Sequence, residues 1–270
     1  MSKELQKFTT LVITGGSSGI GDNFISTFIT INKNALVCNL SRTKPSEKFP
    51  SDRVCHFPCD LSDSQQLKDS SGAIIELLAQ QPSGGPVLLV NNSGFGSYGF
   101  FKDLPRENEL SMLDLNIRAM VDLTSRLLPL LLERGGTIVN IASTAAFQPT
   151  PTMATYGATK SFVLDWSLSL ADELRGSNVR CLVVCPGPTG TAFFKRAGFE
   201  GPPLPSGVGH TASFVTQEIV TALEAKKHLV VCGYGNALLA CLSSKLPKRW
   251  VAYLSGWILR KVRLKLLKRS

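Results

Sequence analysis

Tyr156 and Lys160 form the pair of residues best suited to acid–base chemistry. They lie four positions apart at the start of a predicted helix, so their side chains share one helix face. A tyrosine with an ordinary pKa of about 10 is almost fully protonated at neutral pH, and an adjacent ammonium favours the phenolate and lowers that pKa. Such a pair can give a proton to an alcohol oxygen or take one from it. By itself the spacing favours an ordinary pair on a helix surface.

Ser143 is a further candidate for the same chemistry. It lies thirteen residues before Tyr156 and follows the predicted strand Thr137–Ile141. The carboxyl ends of parallel strands, with the loops after them, build the ligand crevice of an α/β sheet. We therefore expect Ser143 and Tyr156 to converge on one substrate oxygen.

A glycine-rich turn, Thr14-Gly-Gly-Ser-Ser-Gly-Ile-Gly21, joins the first predicted strand to the first predicted helix. Its glycines at 15, 19 and 21 allow a tight turn, close approach of the backbone to a ligand and close packing of helix on strand. Free N–H groups and the positive end of the helix dipole favour a pyrophosphate there. The spacing is GxxxGxG and not the usual GxGxxG, so the position between strand and helix is what indicates a phosphate loop.

The same turn also matches the nucleophile elbow of α/β-hydrolases, as Gly15-Gly16-Ser17-Ser18-Gly19. A serine hydrolase would need an acid and then a histidine downstream, and the chain offers only His56, His210 and His228. The elbow does not account for Gly21 or for the motifs further along the chain. We keep the hydrolase as the weaker alternative.

Length and composition indicate a globular protein of one large domain or two small ones. The 270 residues are 43% hydrophobic and 18% charged, which excludes global disorder. Seven cysteines, no CxxC pair and three histidines predict reduced, buried thiols and no metal site. We find no apolar run of about 20 residues and no signal-peptide pattern, and therefore expect a cytoplasmic protein.

The formal charge of +9 comes from the end of the chain. Nine basic residues and no acid lie between 245 and 270, whereas the other 244 residues carry 20 groups of each sign. The basic pI therefore gives no reason to expect nucleic-acid binding. We divide the chain into a catalytic domain, 1–244, and a basic amphipathic tail, 245–270.

Apolar strands alternate with segments of helical period along most of the chain. This alternation predicts an α/β protein whose parallel sheet is covered by helices on both faces. A proline- and glycine-rich segment, Pro186–His210, is predicted to be a long functional loop. The predicted helices include Gly19–Ile31, Asn108–Leu132 and Thr155–Arg175, and the predicted strands are Thr10–Thr14, Ala35–Leu40, Val54–Pro58, Val87–Asn91, Thr137–Ile141, Val179–Cys185 and Leu229–Cys232.

The ordered set of motifs resembles the short-chain dehydrogenase/reductase family over about residues 8–235. The set consists of the glycine turn, Asn91-Asn-Ser-Gly94, Asn116, Ser143, Tyr156-Gly-Ala-Thr-Lys160 and Pro186-Gly-Pro-Thr-Gly-Thr191. The resemblance implies a single-domain Rossmann fold with a doubly wound parallel sheet. It also implies an NAD(H)- or NADP(H)-dependent enzyme that interconverts carbonyls and alcohols.

The resemblance implies four catalytic residues. Tyr156 would be the general acid/base, and Lys160 would lower its pKa and bind the nicotinamide ribose. Ser143 would hold the substrate oxygen, and Asn116 would position a water in the proton relay. Other motif residues would bind the cofactor: Gly15, Ser17, Ser18, Gly19, Ile20 and Gly21 at the phosphates, Asp60 and Leu61 at the adenine, Asn92 and Gly94 along the cleft, and Thr189 and Thr191 at the nicotinamide amide or phosphates. Ser93 departs from the alanine usual in the family.

The end of the second predicted strand favours NADP(H) over NAD(H). An acid at this place selects NAD through the ribose 2′-OH, whereas an arginine accommodates the 2′-phosphate. Here the segment Asn39-Leu-Ser-Arg-Thr-Lys44 has no acid, and Arg42 offers a planar fork for phosphate beside the hydroxyl of Ser41. The alternative is a solvated basic turn.

Aromatic residues favour a lipophilic substrate. The pocket is predicted to involve Phe95–Phe101, Ala145–Gln148 and the loop after Pro186 with Phe193, Phe194 and Phe199, although any one ring could equally belong to the core. Resemblance to reductases of long-chain 3-oxoacyl thioesters and of hydroxysteroids places 3-oxoacyl thioesters first and steroid or retinoid carbonyls second. A protein that binds nucleotide without chemistry remains an alternative. An epimerase of the extended branch would need a larger C-terminal domain than 270 residues readily allow.

The tail repeats apolar residues every four positions with basic residues between them. Such a helix can lie in a membrane interface, or it can pack at the substrate mouth or on a partner subunit. Pro247 is expected to open this helix at its first turn. We consider peripheral contact with a cytosolic membrane face and packing on protein as open alternatives, and expect a homodimer or homotetramer formed through the helices ending near Leu132 and Arg175. The repeated residues are Trp250, Leu254, Ile258, Val262 and Leu266.

Overall fold

A parallel sheet of seven strands runs through the described part of the chain, which in this computed structural model comprises residues 2–81, 84–191 and 209–267. Every predicted strand is present, with each end shifted by at most one residue. The strands are β1 (Thr10–Thr14), β2 (Leu36–Ser41), β3 (Val54–Pro58), β4 (Val87–Asn91), β5 (Gly136–Ile141), β6 (Val179–Cys185) and β7 (Leu229–Val231).

Helices connect most of the strands. A π-helical turn, Asp114–Arg118, separates α3 from α4, so the helix predicted over 108–132 is interrupted at Asn116. Residues 192–208 of the predicted long loop, with Phe193, Phe194 and Phe199, lie outside the described residues. The helices are α1 (Gly19–Ile31), α2 (Ser64–Ala79), α3 (Arg106–Leu113), α4 (Ala119–Arg134), α5 (Ala154–Glu173), α6 (Ala212–Glu224), α7 (Tyr234–Lys245) and α8 (Lys248–Leu267).

The order of strands in the sheet is β3-β2-β1-β4-β5-β6-β7, and all the neighbouring pairs are parallel. The chain builds outward from β1 to β3 and then crosses back to place β4 on the other side of β1. A doubly wound sheet binds ligands outside the carboxyl ends of the strands at this reversal. The protein is thus an α/β protein with the predicted Rossmann-like architecture.

Two hydrophobic layers cover the two faces of the sheet. On one face α1 contributes Phe24 and Phe28 and α6 contributes Ile219, all buried against β-strand residues. On the other face α2 contributes Ile74 and α4 contributes Leu127. Strands buried on both faces must be apolar throughout, which is why the sequence reads as continuous apolar runs without alternation.

The seven cysteines are free, and most of them are buried as expected. Burial raises the pKa of Cys38, Cys181 and Cys185 to about 12, so these thiols stay protonated. Cys241 on α7 is exposed, contrary to the general expectation of buried thiols.

The last two helices lie beyond the sheet. The predicted domain boundary after Ser244 falls one residue before the end of α7, and α8 begins directly after Pro247. The side chain of Ser255 on α8 donates a 2.9 Å hydrogen bond to the carbonyl of Pro149. None of the described helices has the length and hydrophobicity that crossing a membrane requires.

Candidate active site

A cleft of about 850 Å³ lies at the carboxyl ends of the central strands. It is lined by residues that follow β1, β2, β3, β4, β5 and β6, and by part of α7. Two of the predicted site residues, Gly21 and Asn116, do not line it. The predicted residues that do are Gly15, Ser17, Ser18, Gly19, Ile20, Ser41, Arg42, Asp60, Leu61, Asn92, Gly94, Ser143, Tyr156, Lys160, Thr189 and Thr191.

Tyr156 lies in the first turn of α5 and reaches the cleft from a largely buried position. Its ring packs in a small cluster with Tyr98, Met112 and Met153. The cluster thus packs the Tyr156 ring at the edge of the cleft.

Lys160 lies one turn further along α5 and is buried. Its Nζ donates a 2.8 Å hydrogen bond to the carbonyl of Ile141, the last residue of β5, and lies 5.9 Å from the centre of the Tyr156 ring. Burial lowers the pKa of Lys160 to about 8, since a desolvated ammonium is disfavoured. Lys160 and Tyr156 are thus a buried neighbouring pair, and not the surface pair that the spacing alone favours.

Ser143 follows β5 and caps a short 3₁₀ turn, Thr144–Phe147. Its Oγ accepts a 3.1 Å hydrogen bond from the backbone N–H of Ala145. An oxygen that accepts in this way can still donate its own hydrogen. Ser143 and Tyr156 line the same cleft.

Asn116 lies in the π-helical turn and is almost fully buried. Its Nδ2 donates to the carbonyl of Phe95 at 2.9 Å and to Oγ1 of Thr159 at 3.0 Å, and its Oδ1 accepts from the N–H of Phe95 at 3.1 Å. The side chain therefore fastens the segment after β4 to α5. π-Helical turns of this kind are frequent at functional sites.

A second cavity, of about 10 Å³, is lined by Asn116, Lys160, Thr14 and Ser93 among other residues. That volume approaches the space that one water molecule needs. The amide of Asn116 is committed to protein partners, so it contributes to a water site here by shaping the cavity. Asn116 thus borders this second cavity and not the main cleft, and its role toward a relay water stays a prediction.

The glycine turn has the conformation that a phosphate loop needs. Gly15 and Gly19 have φ of +69° and +59°, which favour glycine. A Cβ at Gly21 would lie 2.4 Å from the carbonyl oxygen of Gly15, so Gly21 serves close packing and not ligand contact. Ser18 makes no side-chain capping bond at the start of α1. The first turn of α1 can therefore direct its N–H groups to an anion in the cleft.

The segment after β4 is tied to the glycine turn. Asn92 Nδ2 donates to the carbonyl of Thr14 at 3.0 Å, and Thr14 Oγ1 accepts from the N–H groups of Asn92 and Ser93, both at 2.9 Å. A Cβ at Gly94 would lie 3.0 Å from Asn116 Oδ1 and 3.4 Å from Lys160 Nζ. Asn92 and Gly94 thus shape the cleft as well as line it.

Arg42 and Asp60 lie at the end of the cleft beyond β2 and β3. The Arg42 side chain is 69% exposed, and its Nη1 lies 3.9 Å from Asp60 Oδ2. Hydrogen bonds from Ser62 hold the pKa of Asp60 below its usual range. An exposed guanidinium with such a weak contact retains most of its donors for a ligand.

The hydroxyl of Ser41, predicted to lie beside the 2′-phosphate, has two protein partners. Its Oγ donates to the carbonyl of Thr43 at 2.7 Å and accepts from Nδ2 of Asn39 at 2.7 Å. Because its hydrogen is already donated, Ser41 has none to give to a phosphate in this arrangement. Asn39 also accepts a 2.7 Å bond from the N–H of Gly16, so this chain of bonds fixes the glycine turn to β2.

Thr189 and Thr191 follow β6. Thr189 Oγ1 donates to the carbonyl of Gly187 at 2.9 Å, and Thr189 forms a β-bridge with His210. A Cβ at Gly19 would lie 3.1 Å from Cγ2 of Thr191. The loop after β6 therefore brings Thr191 to the first turn of α1, where the phosphates are expected.

The substrate end of the cleft is only partly as predicted. Phe95, Ala145 and Gln148 line it, but Phe100 and Phe101 do not and are exposed at 43% and 68%. Sequence reasoning missed the contribution of α7, which supplies Asn236, Leu239, Ala240 and Ser243. The signal available was an apolar helical segment after the last strand.

The three histidines argue against the hydrolase alternative. His56 contacts the carbonyl of Ser41, His228 that of Cys181, and His210 the side chain of Asn236. None of them is among the described residues that line the cleft with Ser17. The turn lacks the histidine that a nucleophilic serine requires.

Comparisons with known proteins agree with this geometry. The family model for short chain dehydrogenases matches residues 9–199. A ketoacyl reductase, HetN, from Nostoc sp. is 31% identical over 66% of this chain and 62% of its own length. An NADP-dependent 3-hydroxy acid dehydrogenase, YdfG, from Shigella flexneri is 30% identical over 71% of this chain and 77% of its own.

A solved structure gives the same result. A short-chain dehydrogenase from Sphingobium yanoikuyae in complex with NADPH superposes with a TM-score of 0.73 and 26% identity, covering 89% of this chain and 97% of that one. The chain belongs to the short-chain dehydrogenase family. It spans less than two thirds of the length of the Nostoc relative, which contains further sequence.

Proposed function

We propose that this protein is an NADP(H)-dependent oxidoreductase that interconverts a carbonyl and an alcohol on a lipophilic substrate. The observation that carries the proposal is the convergence of Ser143, Tyr156 and Lys160 on one cleft. The first turn of α1, which has no side-chain cap, lines the same cleft. One bound cofactor could therefore contact both this turn and the three side chains.

Tyr156, Ser143 and Lys160 have different roles in the reaction at the carbonyl oxygen. Tyr156 donates its phenolic proton to the carbonyl oxygen, and Ser143 donates a hydrogen bond to the same oxygen. The Lys160 ammonium stabilises the phenolate that remains. A bound nicotinamide would supply the hydride in reduction and accept it in the reverse reaction. Asn116 holds the segment after β4 against α5 and borders a cavity suited to a relay water.

Arg42 supports NADP(H) as the cofactor. Its exposed guanidinium at the end of β2 suits a 2′-phosphate, and no acid occurs between Asn39 and Lys44. The similarity to an NADP-dependent enzyme and to an NADPH complex agrees with this choice, although the family as a whole uses either cofactor. With NADP(H), carbonyl reduction is the expected cellular direction.

The substrate end of the cleft supports an apolar substrate. Phe95, Met153 and Leu239 contribute apolar surface there, beside Gln148 and Asn236 as polar groups. We place 3-oxoacyl thioesters first, in agreement with the ketoacyl reductase relative, and steroid or retinoid carbonyls second. Such substrates partition into membranes, so we include peripheral attachment through 245–270 to a cytosolic membrane face.

A chain-length series tests the substrate class. NADPH oxidation would be followed with 3-oxoacyl thioesters of increasing acyl length, and with a steroid ketone for comparison. We expect kcat/KM to rise with acyl length, because each added methylene buries more apolar surface. A rate that is independent of length would overturn the lipophilic assignment. Turnover of none of these compounds would favour the catalytically silent alternative.

The oligomeric state is a separate part of the proposal. Leu132 on α4 and Phe162 and Leu168 on α5 are partly exposed apolar residues on the helices predicted to form an interface. Their exposure is compatible with a homodimer or homotetramer formed through α4 and α5, which light scattering of the full chain would test.

A further inference from the structure

Helices α7 and α8 expose large apolar side chains at helical spacing. On α8 the exposed residues follow the positions i, i+3, i+4, i+7 and i+8, which form one stripe along a helix. On α7 they follow the positions i, i+4 and i+8. We call these eight residues the C-terminal apolar surface, and they are between 44% and 98% exposed: Tyr234, Leu238, Leu242, Trp250, Tyr253, Leu254, Trp257 and Ile258.

The stripe of α8 faces away from the protein. The contact with the rest of the chain uses a different side of the helix, where Val251 and Ser255 are 6% and 7% exposed and Ser255 binds the carbonyl of Pro149. An amphipathic helix on a protein surface normally turns its apolar stripe to the core. The buried side of α8 contains Val251 and Ser255, whereas its exposed side contains aromatic residues. The exposed side is therefore suited to a partner that accepts apolar side chains.

The positive charge around α7 and α8 favours an anionic membrane as the partner of this surface. No acidic residue follows Glu224 in the sequence, and Lys245, Lys248 and Arg249 are exposed where α7 meets α8. Six further cations lie between 260 and 269. Tryptophan and tyrosine favour the headgroup level of a bilayer, and basic residues favour an anionic leaflet. A second copy of this chain would bring the same cations together, which is unfavourable.

The same surface borders the substrate end of the cleft. Leu239 of α7 lines the cleft and is also 66% exposed, while Ala240 and Ser243 line it from the same helix. Pro149, which anchors α8, follows the cleft residue Gln148. A layer covering α7 and α8 would therefore lie next to the opening through which a substrate enters.

We propose that the C-terminal apolar surface docks in the plane of an anionic membrane, and that the lipophilic carbonyl enters the cleft from the bilayer past Leu239. Docking is independent of the proposed reductase function, whereas the route of the substrate rests on it. The proposal extends the expected contact of the tail to α7 and to the opening of the cleft.

Vesicle binding of the full chain tests the apolar part of the surface. The probes are vesicles of phosphatidylcholine with and without phosphatidylglycerol. Trp250→Ser combined with Trp257→Ser should weaken partitioning onto the anionic vesicles about tenfold or more. The matched control is Phe100→Ser with Phe101→Ser, two exposed aromatic residues outside the cleft lining and outside this surface, which should bind as the wild type does. Equal partitioning of the wild type and the Trp250/Trp257 variant would overturn the proposal.

A charge-matched pair of variants tests the basic part. Lys248→Glu with Arg249→Glu should lower partitioning onto anionic vesicles about tenfold or more. Lys226→Glu with Lys227→Glu changes the net charge equally at two exposed residues. These residues precede the amino end of β7, whereas α7 begins beyond its carboxyl end, so this variant should have a small effect. Equal losses in both variants would show attraction by net charge alone and would overturn the assignment to this surface.

Fluorescence and light scattering distinguish two partners for the C-terminal apolar surface, a membrane and a second copy of the chain. With Trp166→Phe, emission comes from Trp250 and Trp257 alone, and anionic vesicles should shift it to the blue. An interface between copies predicts a different result. The wild type would be oligomeric and the Trp250/Trp257 variant monomeric by light scattering, and vesicles would not shift the emission of Trp166→Phe. That result would overturn the proposal.

Kinetics test the route of the substrate. The Trp250/Trp257 variant should lose kcat/KM about tenfold for a long-chain carbonyl presented in anionic vesicles, and should retain it for a short water-soluble carbonyl. An equal effect on both substrates would overturn the route. If the wild type reduces neither carbonyl, the proposed function fails while the vesicle-binding result still decides the docking.

Discussion

Lys160 Nζ lies 5.9 Å from the centre of the Tyr156 ring and donates a 2.8 Å hydrogen bond to the last carbonyl of β5. Ser143 follows the same strand end two residues later. The end of β5 thus fixes the cation on α5 beside the phenol and also presents the serine. This arrangement makes the three residues one unit, and it predicts that their effects on catalysis will not be additive.

The burial of Lys160 predicts a specific dependence of stability on pH. Burial lowers its pKa from 10.5 to about 8, so between these values the unfolded chain binds a proton that the folded chain has lost. The contribution of Lys160 to the free energy of unfolding therefore rises with pH between these two pKa values. Below about pH 8 the folded protein holds the charged lysine, so it bears the full cost of burying that charge. Urea unfolding of the wild type and of Lys160→Met at about pH 7.5 and about pH 10 measures the effect.

The Lys160→Met variant serves as the reference because the titrating groups that do not interact with Lys160 cancel, and Tyr156→Phe in both proteins removes the neighbouring phenol. The wild type should gain stability relative to this variant as the pH rises, by an amount of a few kcal/mol. A difference that stays constant across the window would show that Lys160 titrates with its ordinary pKa.

Arg42→Asp should shift the preference for cofactor from NADP(H) toward NAD(H). The change removes the donors for a 2′-phosphate and adds an acceptor for a ribose 2′-OH. We expect the ratio of kcat/KM for NADPH to that for NADH to fall about tenfold or more, since hydrogen bonds to charged groups are among the stronger ones. Lys33→Asp, an exposed charge before β2, is the control. An unchanged ratio would refute the role of Arg42.

Gly21→Ala should damage both stability and cofactor binding. Its Cβ would lie 2.4 Å from the carbonyl oxygen of Gly15 and 2.8 Å from Asn92 Nδ2, so the phosphate loop would have to move. We expect a loss of roughly 1–3 kcal/mol in the free energy of unfolding and weaker NADPH binding. Gly72→Ala in α2 meets nothing within 4 Å and should stabilise the helix by about 0.5–1 kcal/mol. Equal stability changes in the two variants would contradict the packing role of Gly21.

The sheet and the phosphate loop were predictable because their signals are local. Apolar β-branched runs mark strands such as β1, and a glycine turn between strand and helix marks the loop wherever the rest of the chain folds. The ordered motifs also placed Ser143, Tyr156 and Lys160 on one cleft. These features depend on neighbouring residues in the sequence or on the family pattern.

The remaining features depend on packing that no local pattern encodes. Phe100 and Phe101 were predicted to line the pocket, but aromatic residues in an irregular segment have no periodicity that reveals their direction. Ser41 lines the cleft, but the sequence does not indicate that Asn39 and Thr43 engage its hydroxyl. Likewise, the place of α7 beside the cleft depends on where the chain turns after β7, which the sequence does not indicate.

Tyr156→Phe tests the central claim most directly, with NADPH oxidation measured over a panel of carbonyls. The change removes one hydroxyl and retains the ring among Tyr98, Met112 and Met153. We predict that kcat falls by about 10²–10⁴-fold while NADPH binding changes little, since a general acid is lost and the phosphate loop is intact. Tyr98→Phe, in the same cluster but away from the cleft lining, should retain activity. Equal turnover by the wild type and Tyr156→Phe would contradict the account.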